Sequence, residues 1–229
     1  MNISIKRIRA IFMKDYKEFS RNYAVSIMVI FPLFFAFLFR DGGEVSIVFL
    51  LNVSFAMLTT FVQACLIAEE KEKNTLRSLM MTPASMLDVL LGKSALVAVI
   101  SAIMMTLAVY IVGYTPTDIV PFVISMVLSI VLYTALGTIC GLYSKTVLEA
   151  SLAIFPVIII FTMGPFGAAF EDKFALAKLL EYLPSSQLQL MLTNTAEVGV
   201  VMPLMIMLVW AIVVTAISFM LYKKRLMDA

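Results

Sequence analysis

Histidine is absent from this sequence, cysteine occurs only twice, and charged residues make up just 14% of the chain. Because histidine is missing and the carboxylates fall in predicted loops, the usual zinc and haem ligand sets cannot be assembled. Cys65 and Cys140 each lie inside an apolar run, where cysteine commonly acts as a small packing residue. We therefore expect no metal site and no cofactor bound by this chain.

Groups that could support catalysis are equally scarce. No base stands in a pattern that pairs it with the scattered serine and tyrosine residues, so we predict no catalytic residues and no enzyme activity. The tripeptide Gly92-Lys93-Ser94 matches the end of a P-loop, but Leu87 occupies a position where a P-loop requires glycine. We expect no nucleotide binding by this chain and no nucleic-acid partner.

Apolar residues dominate what is present, at 62% of the chain with a mean hydropathy of +1.02. The apolar runs are too long for a soluble core, so the sequence predicts an all-α polytopic membrane protein with one transmembrane domain. A helix crosses a bilayer with roughly 17–25 apolar residues. The six predicted spans cover residues 22–39, 45–68, 94–114, 121–143, 150–170 and 198–222.

Small and polar residues within these spans predict contacts between helices. The polar members of the second span are expected to hydrogen-bond between helices rather than to bind substrate. They are Asn52, Ser54, Thr59, Thr60 and Gln63. In the fourth span Gly137 and Gly141 form a G-x-x-x-G pair, which lets two helices approach closely. Packing within one subunit and packing across a dimer both agree with this pair.

The amino-terminal residues 1–21 form a predicted basic amphipathic helix. Its apolar residues recur at helical spacing, while lysine and arginine crowd the other positions. The apolar set is Ile8, Ile11, Phe12, Tyr16 and Phe19. We expect the helix to lie along the inner leaflet with its apolar face in the acyl boundary, and the alternative is a frayed basic tail.

The basic residues also predict the orientation of the chain. An even number of spans places both termini on one side, which then carries the basic clusters of both termini. The loops of that side carry Lys71, Lys73, Arg77, Lys93 and Lys145, whereas the opposite loops carry only Arg40, Lys173 and Lys178. Because lysine and arginine concentrate in cytoplasmic loops, we expect a plasma-membrane protein with both termini in the cytoplasm.

A charged island, EEKEKNTLRSLMMTP at residues 69–83, begins a predicted polar loop over residues 69–85. Asn74 or Thr75 is suited to cap a short helix that ends before Pro83. One side of this helix would carry Leu76, Leu79 and Met80. Such a protrusion suits docking into a cleft of another protein, and the alternative is a solvated loop without a partner.

The order of residues in and after the island resembles a known family. The matching residues are Glu70-Lys71-Glu72, Thr75-Leu76, Leu79, Thr82-Pro83 and Leu90-Leu91-Gly92-Lys93. They are similar to the pattern E-x-E-x-G-T-L, S/T-P and L-L-G-K of permease subunits of ABC transporters of the type-2 (type V) export family. Asn74 stands where that family usually has glycine.

The resemblance implies an interfacial elbow helix over residues 1–21, a cytoplasmic coupling helix and short outer re-entrant helices. It also implies that ATP and Mg²⁺ bind to a separate cytoplasmic ABC ATPase subunit. A second permease subunit, identical or related, would complete the transporter. The residues expected to couple to the ATPase are Glu70, Glu72, Thr75, Leu76, Leu79 and Met80.

Residues 171–197 are predicted as an outer segment with an amphipathic helix, a turn at Pro184-Ser185-Ser186 and a second short helix through Leu192. In the resembling family such helices close the outer end of the pathway, so we interpret the segment as a gate. The alternative is a surface cap without function. The residues assigned to the gate and pathway are Gly164, Pro165, Phe166, Tyr182 and Pro184.

The predicted spans carry no charged residue near the middle, which argues against proton or sodium coupling. A transport pathway lined by these spans would be rich in methionine, phenylalanine, isoleucine and leucine, which suits hydrophobic or amphipathic cargo. The sequence and the resemblance together predict the membrane subunit of an ATP-driven exporter of peptides, toxins or drugs. The alternative is a membrane scaffold or sensor that recruits a cytoplasmic ATPase without transporting. A bacterial source fits the compact chain.

Overall fold

The computed structural model describes residues 4–73, 85–166, 175–193 and 199–227, and within these ranges every regular element is a helix. Helix α2 comprises residues 23–38, and α7 is a 3₁₀-helix. The other bounds are α1 Ile5–Arg21, α3 Gly43–Glu72, α4 Met86–Val112, α5 Ile119–Tyr143, α6 Val147–Phe166, α7 Ala175–Tyr182, α8 Pro184–Thr193 and α9 Val201–Met227.

Five of these helices, α3, α4, α5, α6 and α9, are long and apolar enough to cross a membrane. The predicted first span, residues 22–39, corresponds to α2, whose apolar part Ile27–Leu38 is shorter. A 3₁₀ turn over Ile27–Ile30 precedes an α-helix over Phe31–Leu38. Pro32 lies in the first turn of that α-helix, a position that favours proline because the first N–H groups of an α-helix have no partner within it.

Helix α3 forms the centre of the bundle. Its most apolar stretch is 72% buried, compared with 22–33% for the other four long helices. A π-helical turn over Phe55–Thr60 interrupts it at its middle. Side chains from that turn and its neighbours reach the surrounding helices, so α3 contacts most of the fold.

The prediction that polar residues of the second span hydrogen-bond between helices is confirmed for four of the five. The hydroxyls of Thr59 and Ser101 lie 2.8 Å apart, and Thr60 Oγ1 donates to the Tyr133 carbonyl at 3.2 Å. Gln63 Nε2 donates to Thr138 Oγ1 at 2.9 Å, and Asn52 Nδ2 donates to the Ser185 carbonyl at 3.3 Å. Ser54 Oγ is buried without a hydrogen-bond partner among the described residues.

The G-x-x-x-G pair packs inside the chain, against α3. A Cβ atom at Gly137 would lie 2.5 Å from the carbonyl oxygen of Thr60, and one at Gly141 would lie 2.6 Å from that of Ala64. Any side chain at either position would therefore push α5 away from α3. Of the two arrangements that agreed with the sequence, this is packing within one subunit.

Helix α1 is present, and part of its apolar face packs on other helices; its position along the inner leaflet stays a prediction. Ile11 and Phe19 are buried against other helices rather than left free for lipid, and Tyr16 is half exposed. Asp15 is buried on the same face. This face packs mainly on α4, because the first turns of α4 offer it both apolar contacts and charged partners.

Helix α4 begins at Met86, well before the predicted start of the third span at residue 94. The reason is a capping box: Ser85 Oγ accepts from the Asp88 N–H at 3.1 Å, and the Asp88 carboxylate accepts from the Ser85 N–H at 2.8 Å. The charged residues Asp88 and Lys93 therefore lie inside the helix.

The outer segment differs from the prediction at one point. The expected turn at Pro184-Ser185-Ser186 is wrong, because these residues form the first turn of α8. Proline is favoured there, since the first N–H groups of a helix have no partner within the helix. Residues 167–174, which come before α7, lie outside the described ranges.

Candidate functional site at the charged end of the helix bundle

One end of the bundle, which we call the charged end, collects the amino-terminal helix and the ends of four long helices. A buried residue from each of α1, α3, α4, α5 and α9 joins one apolar cluster there. These residues are Ile11, Ile67, Val89, Leu142 and Tyr222. The undescribed residues 74–84 connect α3 to α4 at this end, so the predicted docking protrusion starts and finishes here.

A buried ion cluster lies beside this apolar cluster and consists of Lys14, Asp15, Glu70 and Lys93. Glu70 Oε1 is 2.9 Å from Lys14 Nζ and 2.9 Å from Lys93 Nζ, and Lys93 Nζ is 3.1 Å from Asp15 Oδ2. The exposed side-chain fractions of Asp15, Glu70 and Lys93 are 0%, 2% and 1%. At the partly exposed rim of this cluster, Lys14 Nζ is also 3.5 Å from Glu18 Oε2. Each of the two buried carboxylates therefore has an ammonium group within ion-pair distance.

The environment of the ion cluster changes the acidity of two groups on α1. Burial raises the pKa of Asp15, and the ammonium of Lys93 opposes this effect. Burial lowers the pKa of Lys14, but the attraction and hydrogen bond of Glu70 outweigh it, so that pKa is raised. Lys14 therefore keeps its positive charge at neutral pH, and Lys93 favours the charged form of Asp15 against the effect of burial.

The last turn of α3 also holds the connection between α5 and α6. Lys71 Nζ donates to the carbonyl oxygen of Leu142 at 2.7 Å and to the carbonyl oxygen of Ser144. Both carbonyl groups lie at the carboxy-terminal end of α5. Glu72 Oε2 accepts from the Val147 N–H at 3.0 Å, at the start of α6. A cation at a helix carboxy terminus and an anion at an amino terminus complement the helix dipoles. The end of α3 is therefore hydrogen-bonded both to the end of α5 and to the start of α6.

A further buried acidic group, Asp88, joins α4 to the start of α1. Its carboxylate accepts from the Ser4 N–H at 2.9 Å and pairs with Arg7 Nε at 2.8 Å. The functional interpretation of the sequence missed Asp15, Asp88 and Lys93. A signal was available, because Asp15 stands on the apolar face of α1 between Ile11 and Phe19, where a lone charge requires a buried partner.

The predicted coupling residues divide into two groups. Glu70 and Glu72 are described, and their carboxylates contact groups of this chain. Thr75, Leu76, Leu79 and Met80, with the short helix predicted around them, lie outside the described residues. Contact between these six residues and an ATPase stays a prediction.

The predicted gate residues lie at the opposite end of the bundle. A cavity of about 490 Å³ is lined there by Gly164, Pro165 and Tyr182, together with residues of α8 and α9. Pro184 is buried, and Phe166 is 36% exposed. Trp210 Nε1 donates to the Tyr182 carbonyl at 2.9 Å, which attaches α7 to α9. The structure thus brings three of the five residues to one cavity.

Other chemistry is sparse at both ends. Across residues 4–73, 85–166, 175–193 and 199–227, no group of three or more acidic, cysteine or histidine residues is arranged to hold a metal ion. The P-loop-like tripeptide lies in the first turns of α4, where the Lys93 ammonium contacts carboxylates.

Comparison with known proteins identifies the family. Residues 2–220 match the family described as ABC-2 family transporter protein. No curated protein matches the chain. Members of this family are transmembrane permease components that work with an ATPase subunit, and they are not themselves the ATPase. The match covers nearly the whole length, and it agrees with the five helices among the described residues that are long and apolar enough to cross a membrane. This chain therefore belongs to the ABC-2 family of transporter proteins, as the membrane part of an ABC transporter.

Proposed function

We propose that the chain is the membrane-spanning subunit of an ATP-driven exporter, located in the plasma membrane of a bacterial cell. Membership of the ABC-2 family supports the ATP-driven part of this proposal. The outward surfaces of the long helices are apolar, and their exposed residues are mostly isoleucine, valine, leucine, methionine and phenylalanine. A path between two such surfaces would carry hydrophobic or amphipathic cargo, such as a peptide, toxin or drug.

The proposed topology has six spans with both termini in the cytoplasm. Ile11 of α1 and Tyr222 of α9 belong to the same buried cluster, so both terminal helices lie at the charged end. In the proposed topology α2 is the first span, and it connects α1 at the charged end to the start of α3 at the opposite end. The concentration of lysine and arginine at the charged end favours a cytoplasmic position for it.

The proposed coupling site consists of the segment 74–84 and the α3 turn before it. Leu76, Leu79 and Met80 would enter a groove of the ATPase, and closure of two ATPase subunits on ATP would displace the segment. The observation that carries the proposal is the set of contacts made by the last turn of α3. Glu70 contacts α1 and α4, and Glu72 contacts α6. A displacement of the segment therefore reaches the most buried helix and its neighbours together.

The proposed exit lies at the opposite end of the bundle. Two permease subunits, identical or related, would form the pathway between them, and the cavity beside Gly164 and Tyr182 supports a gate formed by α7 and α8. The gate is held by a few polar contacts from α3 and α9, including those of Asn52 and Trp210. Rocking of these two helices would change the position of the gate.

The test uses the chain co-expressed with its cognate ABC ATPase. Leu76→Asp and Leu79→Asp place a charge on the apolar side of the predicted helix, and Ser78→Asp places one on the other side as the matched control. We expect both leucine variants to insert into the membrane but to lose co-purification of the ATPase and its ATP hydrolysis, whereas Ser78→Asp keeps both. Wild-type coupling in the leucine variants would refute the docking role.

A further inference from the structure

A cavity of about 230 Å³ lies between α4, α5 and α9, separate from the cavity beside Gly164 and Tyr182. All three helices are long and apolar enough to cross a membrane. Each of them contributes a lining residue that is exposed on the outside of the bundle, namely Leu91, Val131 and Thr215. The cavity therefore opens sideways, toward the space that lipid occupies around a membrane-spanning bundle.

The walls of this cavity combine apolar side chains with hydroxyl groups. Among the described residues, its lining contains no charged side chain. Because an ion without a counter-charge is costly to bury, the cavity suits an uncharged guest. The lining residues that carry a hydroxyl group are Ser94, Thr134, Thr138, Thr215 and Ser218.

Thr134 of α5 carries a hydroxyl group that lacks a hydrogen bond. Its side chain is 6% exposed, and Oγ1 has no partner among the described residues. The neighbouring Thr138 Oγ1, by contrast, accepts from Gln63 Nε2 at 2.9 Å and donates to the Thr134 carbonyl at 3.0 Å. A buried polar group without a partner is unfavourable. Threonine in a helix has two accessible rotamers, so the Thr134 hydroxyl can turn to meet an oxygen atom of a guest.

The size of the cavity limits the guest further. An apolar cavity of about 150 Å³ binds benzene, whereas pockets for drug-sized ligands measure about 300–1,000 Å³. This cavity therefore holds a small molecule or one end of a longer one. A lipid acyl chain would fit the apolar walls but would offer nothing to Thr134. A helix of a second copy, about 10–12 Å across, could cover the opening but could not enter.

We propose that this cavity is a binding site for an uncharged lipophilic molecule that bears a hydroxyl or carbonyl group and reaches the site from the bilayer. Its apolar part lies against Leu91 and Val131, and its oxygen atom forms a hydrogen bond with the Thr134 hydroxyl. Binding at this site needs no ATPase. Only a role of the site in taking up cargo would rest on the proposed function.

The experiment measures binding of two photoreactive probes to the full-length chain in lipid nanodiscs. One probe is a diazirine derivative of octanol, and the other is the matching derivative of octane, which lacks the hydroxyl group. Labelled residues are identified by mass spectrometry. Affinities are obtained by competition with unlabelled octanol or octane and are expressed relative to the probe concentration in the lipid.

Two variants test the hydroxyl group and the cavity separately. Thr134→Val removes the hydroxyl at nearly the same size, and its control is Thr106→Val, at an exposed threonine of α4 whose hydroxyl donates to the Ala102 carbonyl. Ala98→Leu fills the cavity, and Ala216→Leu on the exposed face of α9 is its control. Because Thr134→Val removes an unsatisfied polar group, it should not lower Tm, whereas a merely structural role of that hydroxyl would lower it.

We expect saturable labelling around the cavity, with the octanol probe bound about 2- to 10-fold more tightly than the octane probe. Thr134→Val should remove this difference, Ala98→Leu should abolish labelling by both probes, and both controls should behave as the wild type. Unsaturable labelling, equal affinity of the two probes for the wild type, or a preference for octanol that persists in Thr134→Val would overturn the proposal. ATP-driven export by the complex is a separate measurement, so a failure of this site is distinguishable from a failure of the proposed function.

Discussion

Replacing Lys93 with methionine should destabilise the chain strongly, because methionine matches its length but carries no charge. Asp15 and Glu70, which are 0% and 2% exposed, would lose the buried ammonium group that contacts both of them. Removing one partner of a buried ion pair typically costs about 3–5 kcal/mol of unfolding free energy. At about 2–4 °C of Tm per kcal/mol for a domain of this size, Tm should fall by roughly 6–20 °C.

This loss should depend on pH in a defined direction. Burial raises the pKa of Asp15 above its ordinary value of 3.8, and Lys93 is the group that opposes this most. A carboxyl whose folded pKa is raised contributes stability that is fully present below its unfolded pKa and is lost as pH rises through the folded pKa. The Tm deficit of Lys93→Met should therefore be larger at about pH 8 than at about pH 5.

The assay is thermal unfolding in detergent, followed by circular dichroism and by the fluorescence of Trp210, the only tryptophan. Lys6→Met is the control for losing an exposed lysine. The triple variant Asp15→Leu, Glu70→Leu, Lys93→Met replaces all three buried charges by apolar groups and should recover most of the lost stability. A single variant as stable as Lys6→Met, or a triple variant as unstable as Lys93→Met, would contradict the reasoning.

Two further predictions concern the contacts of α3. Gly141→Leu should lower stability by about 1–3 kcal/mol or more, because a Cβ atom at this position would lie only 2.6 Å from the Ala64 carbonyl oxygen. Ala216→Leu, on the exposed face of α9, should change Tm little, and equal effects of the two variants would argue against the α3–α5 contact. Lys71→Met should cost about 1–2 kcal/mol and speed amide hydrogen exchange around Ser144, because its ammonium caps α5. Lys73→Met, whose side chain is 51% exposed, should cost less than about 1 kcal/mol, and a reversed order would show that the cap is not used.

The sequence predicts the long helices well where apolar runs end at a structural break. Helix α5 follows a loop containing Pro116 and Asp118 and ends at Tyr143, where the predicted fourth span also ends. The apolar run and the helix coincide there because no charge interrupts either of them. The family could also be predicted, because its motif lies within one short stretch of the sequence, residues 70–93.

The ends of the helices at the charged end were harder to predict, for a physical reason. A charge in an apolar run normally marks the limit of a span, so Asp88 and Lys93 suggested that the third span begins after them. In the structure both are buried inside α4 because partners on α1, remote in sequence, compensate their charges. Such pairing depends on the tertiary fold, and helical periodicity alone does not reveal it.

The account depends most on the claim that the segment 74–84 faces the cytoplasm and is covered by an ATPase. The direct measurement is labelling of Leu79→Cys, in the Cys65→Ala, Cys140→Ala background, with a membrane-impermeant maleimide. The account predicts labelling in inside-out vesicles, no labelling in intact cells, and protection when the cognate ATPase is bound. Labelling from outside intact cells, or labelling in vesicles that the bound ATPase leaves unchanged, would contradict it.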